Sequence, residues 1–312
     1  MTKVTVLLPM YSEKIEYAIA AIESILNQTL QELSLFIILD NPQNNELKQL
    51  IMEYKEKDER IQYWINDKNL GLPASLNKLI EKVETPYIAR MDADDISNLQ
   101  RLEKQYMYMK EHPNVDLCGT NIIYINQSGE IIKKNKKIPQ KYNTIKCCLK
   151  YKNCFSHPTF FCKTEMMRKV MYRENLRYAQ DYDFVCRCVE YKYVLVNMDE
   201  YLLKYRIGNI SDSKMLRQNM TAYFVKKCYR KNELIYTKSI DQDIDYEIEK
   251  YGEKNLIERV SIKQNIEKAI NSFATGKIKQ GFKYVGYVLT PHLYRIDAFL
   301  SEIMYKLIKQ KE

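Results

Sequence analysis

Four short apolar runs alternate with three amphipathic stretches in the first ninety-one residues, and that order leaves few folds open. Residues 4–8 form an apolar run of the length a buried parallel strand needs. Residues 15–30 then carry Ile15, Ala18, Ile19, Ile22, Ile25 and Leu26, the stripe of one helix face. Residues 33–39 are a second apolar run, ending at Asp40. Residues 46–57 read as a helix, 61–65 as a strand, 73–83 as a helix and 87–91 as a fourth strand. This alternation predicts a parallel sheet with helices on both faces. Such sheets bind ligands beyond the carboxyl ends of their strands. Three polar segments follow strand ends here: Pro9 to Tyr11, Asp40 with Asn41, and Asp92 to Asp94. They are expected to meet on one rim.

The middle of the chain reads differently. Residues 99–110 are helical, and 115–124 and 130–133 flank the turn Asn126, Gln127, Ser128, Gly129, as in a hairpin. Residues 160–162 suggest a short strand, 180–190 a helix with acidic residues in its first turn, and 193–207 a strand. A mixed half should therefore follow the parallel half, giving one α/β domain over 1–210. Residues 211–312 read as a mainly helical extension. Near its end Ile296, Phe299, Leu300, Ile303, Met304, Leu307 and Ile308 form a stripe, with Glu302, Lys306 and Lys309 opposite. Such a helix either packs on the domain or lies on an anionic membrane surface.

Composition narrows the function classes. A net charge of +9 favours anionic partners. The charge is diffuse, thickening only beyond about residue 214, and matches no nucleic-acid module, so nucleic acid is not an expected partner. The eight cysteines contain no CxxC pair and there are three histidines, which argues against zinc and for buried reduced thiols. No stretch approaches the roughly 18 apolar residues of a membrane span. The apolar start is too short for a secretory signal, and a cytoplasmic location is expected. No GxGxxG follows a strand, against a dinucleotide oxidoreductase. No glycine lies between Pro9 and Glu13, against the phosphate loop of a sugar-nucleotide pyrophosphorylase.

The densest chemistry lies where the fourth run stops. Segment 87–95 reads YIARMDADD, placing Asp92, Asp94 and Asp95 within four positions. Buried like charges at this spacing cost several kcal/mol unless something positive compensates. A divalent cation preferring hard oxygen ligands would do so. The alternative is a solvated acidic turn in which Asp95 or Ser97 caps the next helix.

These segments resemble a known family. VTVLLPMY at 4–11 is similar to the opening strand and Pro-x-Tyr turn of family 2 inverting glycosyltransferases, whose GT-A fold is a nucleotide-binding α/β sandwich. The resemblance runs over residues 1–206, with its segments in family order. It implies donor-binding roles for Pro9 and Tyr11. It implies that Asp40 accepts a hydrogen bond from the nucleobase, although Leu39 and Pro42 depart from the family's Asp-Asp-Gly-Ser. NLGLPASLN at 69–77 is similar to the family's nucleotide-approaching turn, which makes Asn69 and Gly71 donor-binding residues. Asp92, Ala93 and Asp94 look like the DxD motif: Asp92 near the ribose and metal, Asp94 on Mn²⁺ or Mg²⁺. Arg90 either positions the donor or offsets the acidic cluster.

Further along, YAQDYDF at 178–184 resembles the family segment that supplies the catalytic base, here Asp181, with Gln180 where glutamate is usual. Helix capping by Asp181 and Asp183 is the alternative. His157, in SHPT at 156–159, matches a segment lining the acceptor side, unless it is a structural histidine. Gly208 and Asn209 stand where some relatives carry a metal-reaching histidine. The implied reaction moves a sugar, from a UDP-sugar by family habit, to a saccharide acceptor. A lipid-linked acceptor in capsule, exopolysaccharide or lipopolysaccharide synthesis is the usual setting. The alternatives are a degenerate transferase that binds nucleotide-sugar without turnover, or a basic nucleic-acid-binding protein.

Overall fold

The computed structural model describes residues 2–208, 211–236 and 240–252, with short pieces at 272–273, 276–280, 282, 301 and 304–309. The first half follows the apolar runs: β1 (Val4–Met10), α1 (Ile15–Leu26), β2 (Leu33–Leu39), α2 (Asn45–Lys57), β3 (Ile61–Ile65), α3 (Leu72–Lys82) and β4 (Tyr87–Arg90). Local chemistry sets the helix starts. The Asn44 side chain accepts the Leu47 N–H at 3.1 Å to cap α2. Gly71, at φ +89°, makes the turn into α3, and Pro73 sits in its first turn, where no N–H is needed.

The four strands pair in parallel in the order β3-β2-β1-β4, as the alternation predicts. Side chains alternate across the sheet. Val4, Val6, Leu8 and Met10 face a core shared with α1 and α2, while Leu7, Phe36 and Ile38 face one shared with α3. Each fully buried aliphatic side chain there contributes about 1.5–3 kcal/mol.

The second half comprises β5 (Ile96–Ser97), α4 (Arg101–Glu111), β6 (Leu117–Ile125), β7 (Ile131–Lys134), α5 (Tyr142–Cys148), β8 (Phe161–Lys163), α6 (Thr164–Val170), α7 (Gln180–Glu190) and β9 (Leu195–Arg206). The sheet continues β4-β8-β6-β9-β5, with β7 paired to β6. β8 runs antiparallel to both β4 and β6, and β6 is parallel to β9. The β6–β7 hairpin and α7 fall where the sequence puts them. This antiparallel insertion brings the end of β9 beside the acidic segment that follows β4, since Arg206 donates its backbone N–H to Asp95.

Beyond β9, α8 (Asp212–Lys231) is capped by the Ser211 side chain, and α9 (Ile240–Tyr251) follows. Leu216, Met220, Val225, Tyr229, Ile240 and Ile244 join the core on the α3 and α7 face. Of the expected terminal stripe, Ile296, Phe299, Leu300 and Ile303 lie outside the described residues. Tyr305 and Ile308 pack against the core, while Met304 and Leu307 are exposed. Among the described residues no helix is long and apolar enough to cross a membrane. Six cysteines are buried; Cys147 is exposed and Cys228 half-buried.

Candidate active site

The rim is built from the ends of β1, β2, β4 and β9 and the start of α7. Asp92, Asp94 and Asp95 follow β4, and one carboxylate oxygen from each lies within 4.8 Å of the others. Asp95 is buried. Its Oδ1 accepts the Arg206 backbone N–H at 2.8 Å, and its Oδ2 has no hydrogen-bond partner. Arg206 also donates through Nε to the Asp94 carbonyl at 2.9 Å, and its guanidinium lies 4.0 Å from the centre of the Tyr17 ring. The acidic turn is therefore clamped by the last residue of β9. It does not cap α4: Gln100 occupies that position without a side-chain cap, and Ser97 is tied to Gln28 and Asn98. The capping alternative is overturned because Asp95 points into the protein.

The carboxylates strain against one another. Burial, then Asp92 and Glu13, push the Asp94 carboxyl up to about 6. Burial, then Asp92 and Asp94, raise Asp95 well above the usual carboxylate range. Glu13 is also raised, chiefly by burial, and its Oε2 accepts the Tyr11 backbone N–H at 2.7 Å. Arg90 is the counter-charge paired to the cluster among the described residues. It is buried, ion-paired through Nη2 to Asp92, and leaves Nε and Nη1 without partners. Arg206 and Arg101 add positive charge around Asp94 and Asp95 but make no ion pair to either among the described residues, which leaves these two carboxylates unpaired. Clustered hard oxygens with one orphaned carboxylate oxygen fit a Mg²⁺- or Mn²⁺-type ion. Asp92, Asp94 and Asp95 are the residues that could hold it.

Of the residues expected to bind the donor, Asp40, Asn69 and Gly71 are linked by hydrogen bonds. Asp40, at the end of β2, accepts from Asn66 Nδ2 and the Leu70 N–H through Oδ1, and from the Gly71 N–H through Oδ2, each at 2.8 Å. Asn69 Oδ1 also accepts the Gly71 N–H, at 3.0 Å. Asp40 thus fixes the turn that opens α3. Pro9 is buried in β1 opposite Ile38, and Tyr11 is exposed at the mouth.

At the other end, Asp181 stands in the first turn of α7. Its Oδ2 accepts from Asn153 Nδ2 at 2.7 Å. Burial raises its carboxyl above the ordinary value against the pull of the Tyr182 and Asp181 N–H groups, and the charges of Arg90 and Asp92 also act on it. Asp183 goes elsewhere: fully buried, it pairs with Arg173 at 2.8 Å and Arg187 at 2.7 Å. His157 is buried, with Nε2 2.8 Å from the Tyr172 hydroxyl and its ring against Phe160. Burial and then Arg90 hold it well below the usual imidazole range, which favours the neutral ring. Gly208 is exposed just past β9, and Asn209 lies outside the described residues.

The model of the family described as Glycosyl transferase family 2 matches residues 5–175. The chain belongs to that family. Among this glycosyltransferase's curated relatives is an uncharacterised glycosyltransferase of Methanocaldococcus jannaschii, 38% identical over 232 residues, covering 74% of this chain and 80% of the relative. The O-antigen biosynthesis glycosyltransferase WbnJ of Escherichia coli is 35% identical over 72% of this chain and 86% of its own length. The amylovoran biosynthesis glycosyltransferase AmsE of Erwinia amylovora is 31% identical over 66% and 76%. Among solved structures, S. aureus TarS 1–349 in complex with UDP-GlcNAc matches with a TM-score of 0.59 at 13% identity, over 93% of both chains. The mannosyltransferase PcManGT of Pyrobaculum calidifontis, in complex with GDP-Man and Mn²⁺, matches at 0.58 and 11%, over 99% and 87%. The fold of this glycosyltransferase is thus GT-A.

Several of the transferase's site residues escape sequence reasoning. Asn153 lies 28 residues before the carboxylate it holds, in no motif. Asn66 and Arg206 act across long sequence separations. Glu13 alone carried a signal, sitting two residues after the Pro-x-Tyr turn.

Proposed function

We propose that the protein is an inverting, metal-dependent glycosyltransferase that moves a sugar from a nucleotide-diphosphate donor to a saccharide acceptor. The donor lies against Pro9, Tyr11, Asp40, Asn69 and Gly71, with Arg90 and Asp92 toward its sugar and diphosphate. Bound at Asp92 and Asp94, with Asp95 beside them, a divalent cation would neutralise charge on the leaving diphosphate. Asp181 takes the proton from the acceptor hydroxyl as that oxygen attacks the anomeric carbon. The C–O bond to the nucleotide breaks on the opposite face, so configuration inverts. Asn153 orients the Asp181 carboxylate, and its N–H favours the charged form that a base needs. His157, buried against Tyr172 and Phe160, supports the acceptor side.

The observation that carries the reading is the state of Asp181. It is a carboxyl raised by burial, held by one neutral amide, without an ion pair among the described residues, and within the field of the acidic turn. The names of WbnJ and AmsE support a role in surface-polysaccharide synthesis. The UDP-GlcNAc complex of TarS supports a UDP-sugar donor, and the Mn²⁺ complex of PcManGT supports a divalent ion. A lipid-linked acceptor at the cytoplasmic face of a membrane fits the basic C-terminal residues. The test is Asp181→Asn. Donor binding should persist while transfer falls about 10²–10⁴-fold. Turnover unchanged in that variant would reject the base assignment.

A further inference from the structure

Asn77 closes the segment whose opening residues, Asn69 and Gly71, make the donor turn, and it lies buried in α3 six residues beyond that glycine. Its side chain grips both backbone groups of one distant residue. Oδ1 accepts the Tyr172 N–H at 2.8 Å, while Nδ2 donates to the Tyr172 carbonyl at 2.9 Å and to Glu174 Oε1 at 3.2 Å. Tyr172 carries the contact onward. Its hydroxyl lies 2.8 Å from His157 Nε2, and its ring stacks on Phe184 with centroids 4.6 Å apart. Phe184 follows Asp181 by three residues, on the same face of α7. Asn77, Tyr172 and Phe184 thus form an unbroken line from the helix that the donor turn opens to the helix that carries Asp181.

The chain between α6 and α7 needs such a hold. Residues 172–178 are bracketed by Met171 at φ +46° and Ala179 at φ +48°, left-handed conformations that bulky L residues seldom adopt. Such residues persist only where their surroundings over-determine them. Arg187 of α7 pins the entry, donating to the carbonyls of Val170 at 2.6 Å and Met171 at 2.8 Å. Asn77 pins the next residue from α3. Ala179 then delivers Asp181 into the first turn of α7, where Asn153 donates to it.

We propose that Asn77 and Tyr172 are positioning residues that set the place of Asp181 relative to the donor turn. The inference rests on reading Asp181 as the base, and it adds the parts that fix the spacing between base and donor. Rate is steeply sensitive to that spacing, since a misplacement near 1 Å can cost about 10²-fold.

NMR of the full chain with carboxyl-labelled aspartate tests it, the Asp181 resonance being the one absent from Asp181→Asn. Burial, the Tyr182 and Asp181 N–H groups, Arg90 and Asp92 all act on this carboxyl, and the Tyr172 phenol feels its charge, so a displaced Asp181 titrates differently. In wild type the midpoint should lie above the ordinary carboxylate range. Asn77→Ala and Tyr172→Leu should each relax the burial and lower it on the order of one pH unit. Tyr172→Phe, which keeps the ring on Phe184, should retain the wild-type midpoint. All three should bind UDP with Mn²⁺ as wild type does. A lower unfolding temperature with the midpoint in place would mean packing alone and overturns the proposal. Loss of UDP binding in Asn77→Ala would make Asn77 part of the donor turn and likewise overturn it. Should Asn77→Ala fail to fold, the Tyr172 pair decides alone: equal midpoints in Tyr172→Leu and Tyr172→Phe overturn the proposal. Transfer retained in Asp181→Asn would remove the base reading, while the midpoints still report whether Asn77 and Tyr172 place this carboxylate.

Discussion

Two acidic segments of this molecule meet the same problem and solve it differently. At the end of β4, three carboxylates crowd together with Glu13 near them, and among the described residues the ion pair to this cluster is that of Arg90 with Asp92. At the start of α7, two aspartates stand two residues apart and are sorted. Asp183 is neutralised by two arginines, while Asp181 receives only an amide hydrogen bond. A buried carboxylate with its charge fully paired is part of the framework. One left with surplus charge, or with a neutral partner, is held ready for something that arrives.

The sharpest way to break that contrast is to remove the framework member. Asp183→Ala strands Arg187 and Arg173 in the interior and should cost about 3–5 kcal/mol, read as a fall in the denaturation midpoint. A near-neutral result would mean the pairing does not matter and that the two aspartates are not distinguished.

The acidic turn should behave in the opposite sense. Asp94 has a folded-state pKa raised from 3.8 to about 6. The folded state therefore binds more protons than the unfolded chain in that window, and stability falls as pH rises through it. Removing the charge with Asp94→Asn should stabilise the metal-free protein at pH 7.5 by about 1–3 kcal/mol. Wild type should gain stability when Mn²⁺ is added and the variant should gain much less. Thermal unfolding with Mn²⁺ and with EDTA reads both.

The smallest effect concerns Asp181 itself. Burial raises its carboxyl, so kcat/KM should climb with pH to a midpoint above the ordinary carboxylate range. Asn153→Ala removes an N–H that favours the charged form, and should move that limb to still higher pH with UDP affinity unchanged. A limb that stays in place would demote Asn153 to a packing role.

How much of this could be read in advance depends on sequence distance. β1 to β4 are legible because each strand is a contiguous apolar run, and parallel order follows from the helices between them. The insertion of β8 between β4 and β6 is not, since three residues of strand carry too little pattern. The short helices α5 and α6 went unread for the same reason. Asp94 and Asp181 stand in local motifs and can be proposed from the sequence. Asn153, Asn66 and Arg206 cannot, because each acts on a residue 26 or more positions away. Of the partners of Asp183, Arg187 is legible four residues along the expected helix, whereas Arg173, ten residues back in the segment between α6 and α7, is not.

Calorimetric titration of UDP into the full chain, with Mn²⁺ and with EDTA, on wild type and Asp94→Ala, tests the central claim most directly. Binding that requires Mn²⁺ and disappears in Asp94→Ala is the predicted result. Binding of equal strength in EDTA or in the variant would contradict the metal-held donor site. No binding of UDP, GDP or dTDP under any condition would contradict the donor site itself.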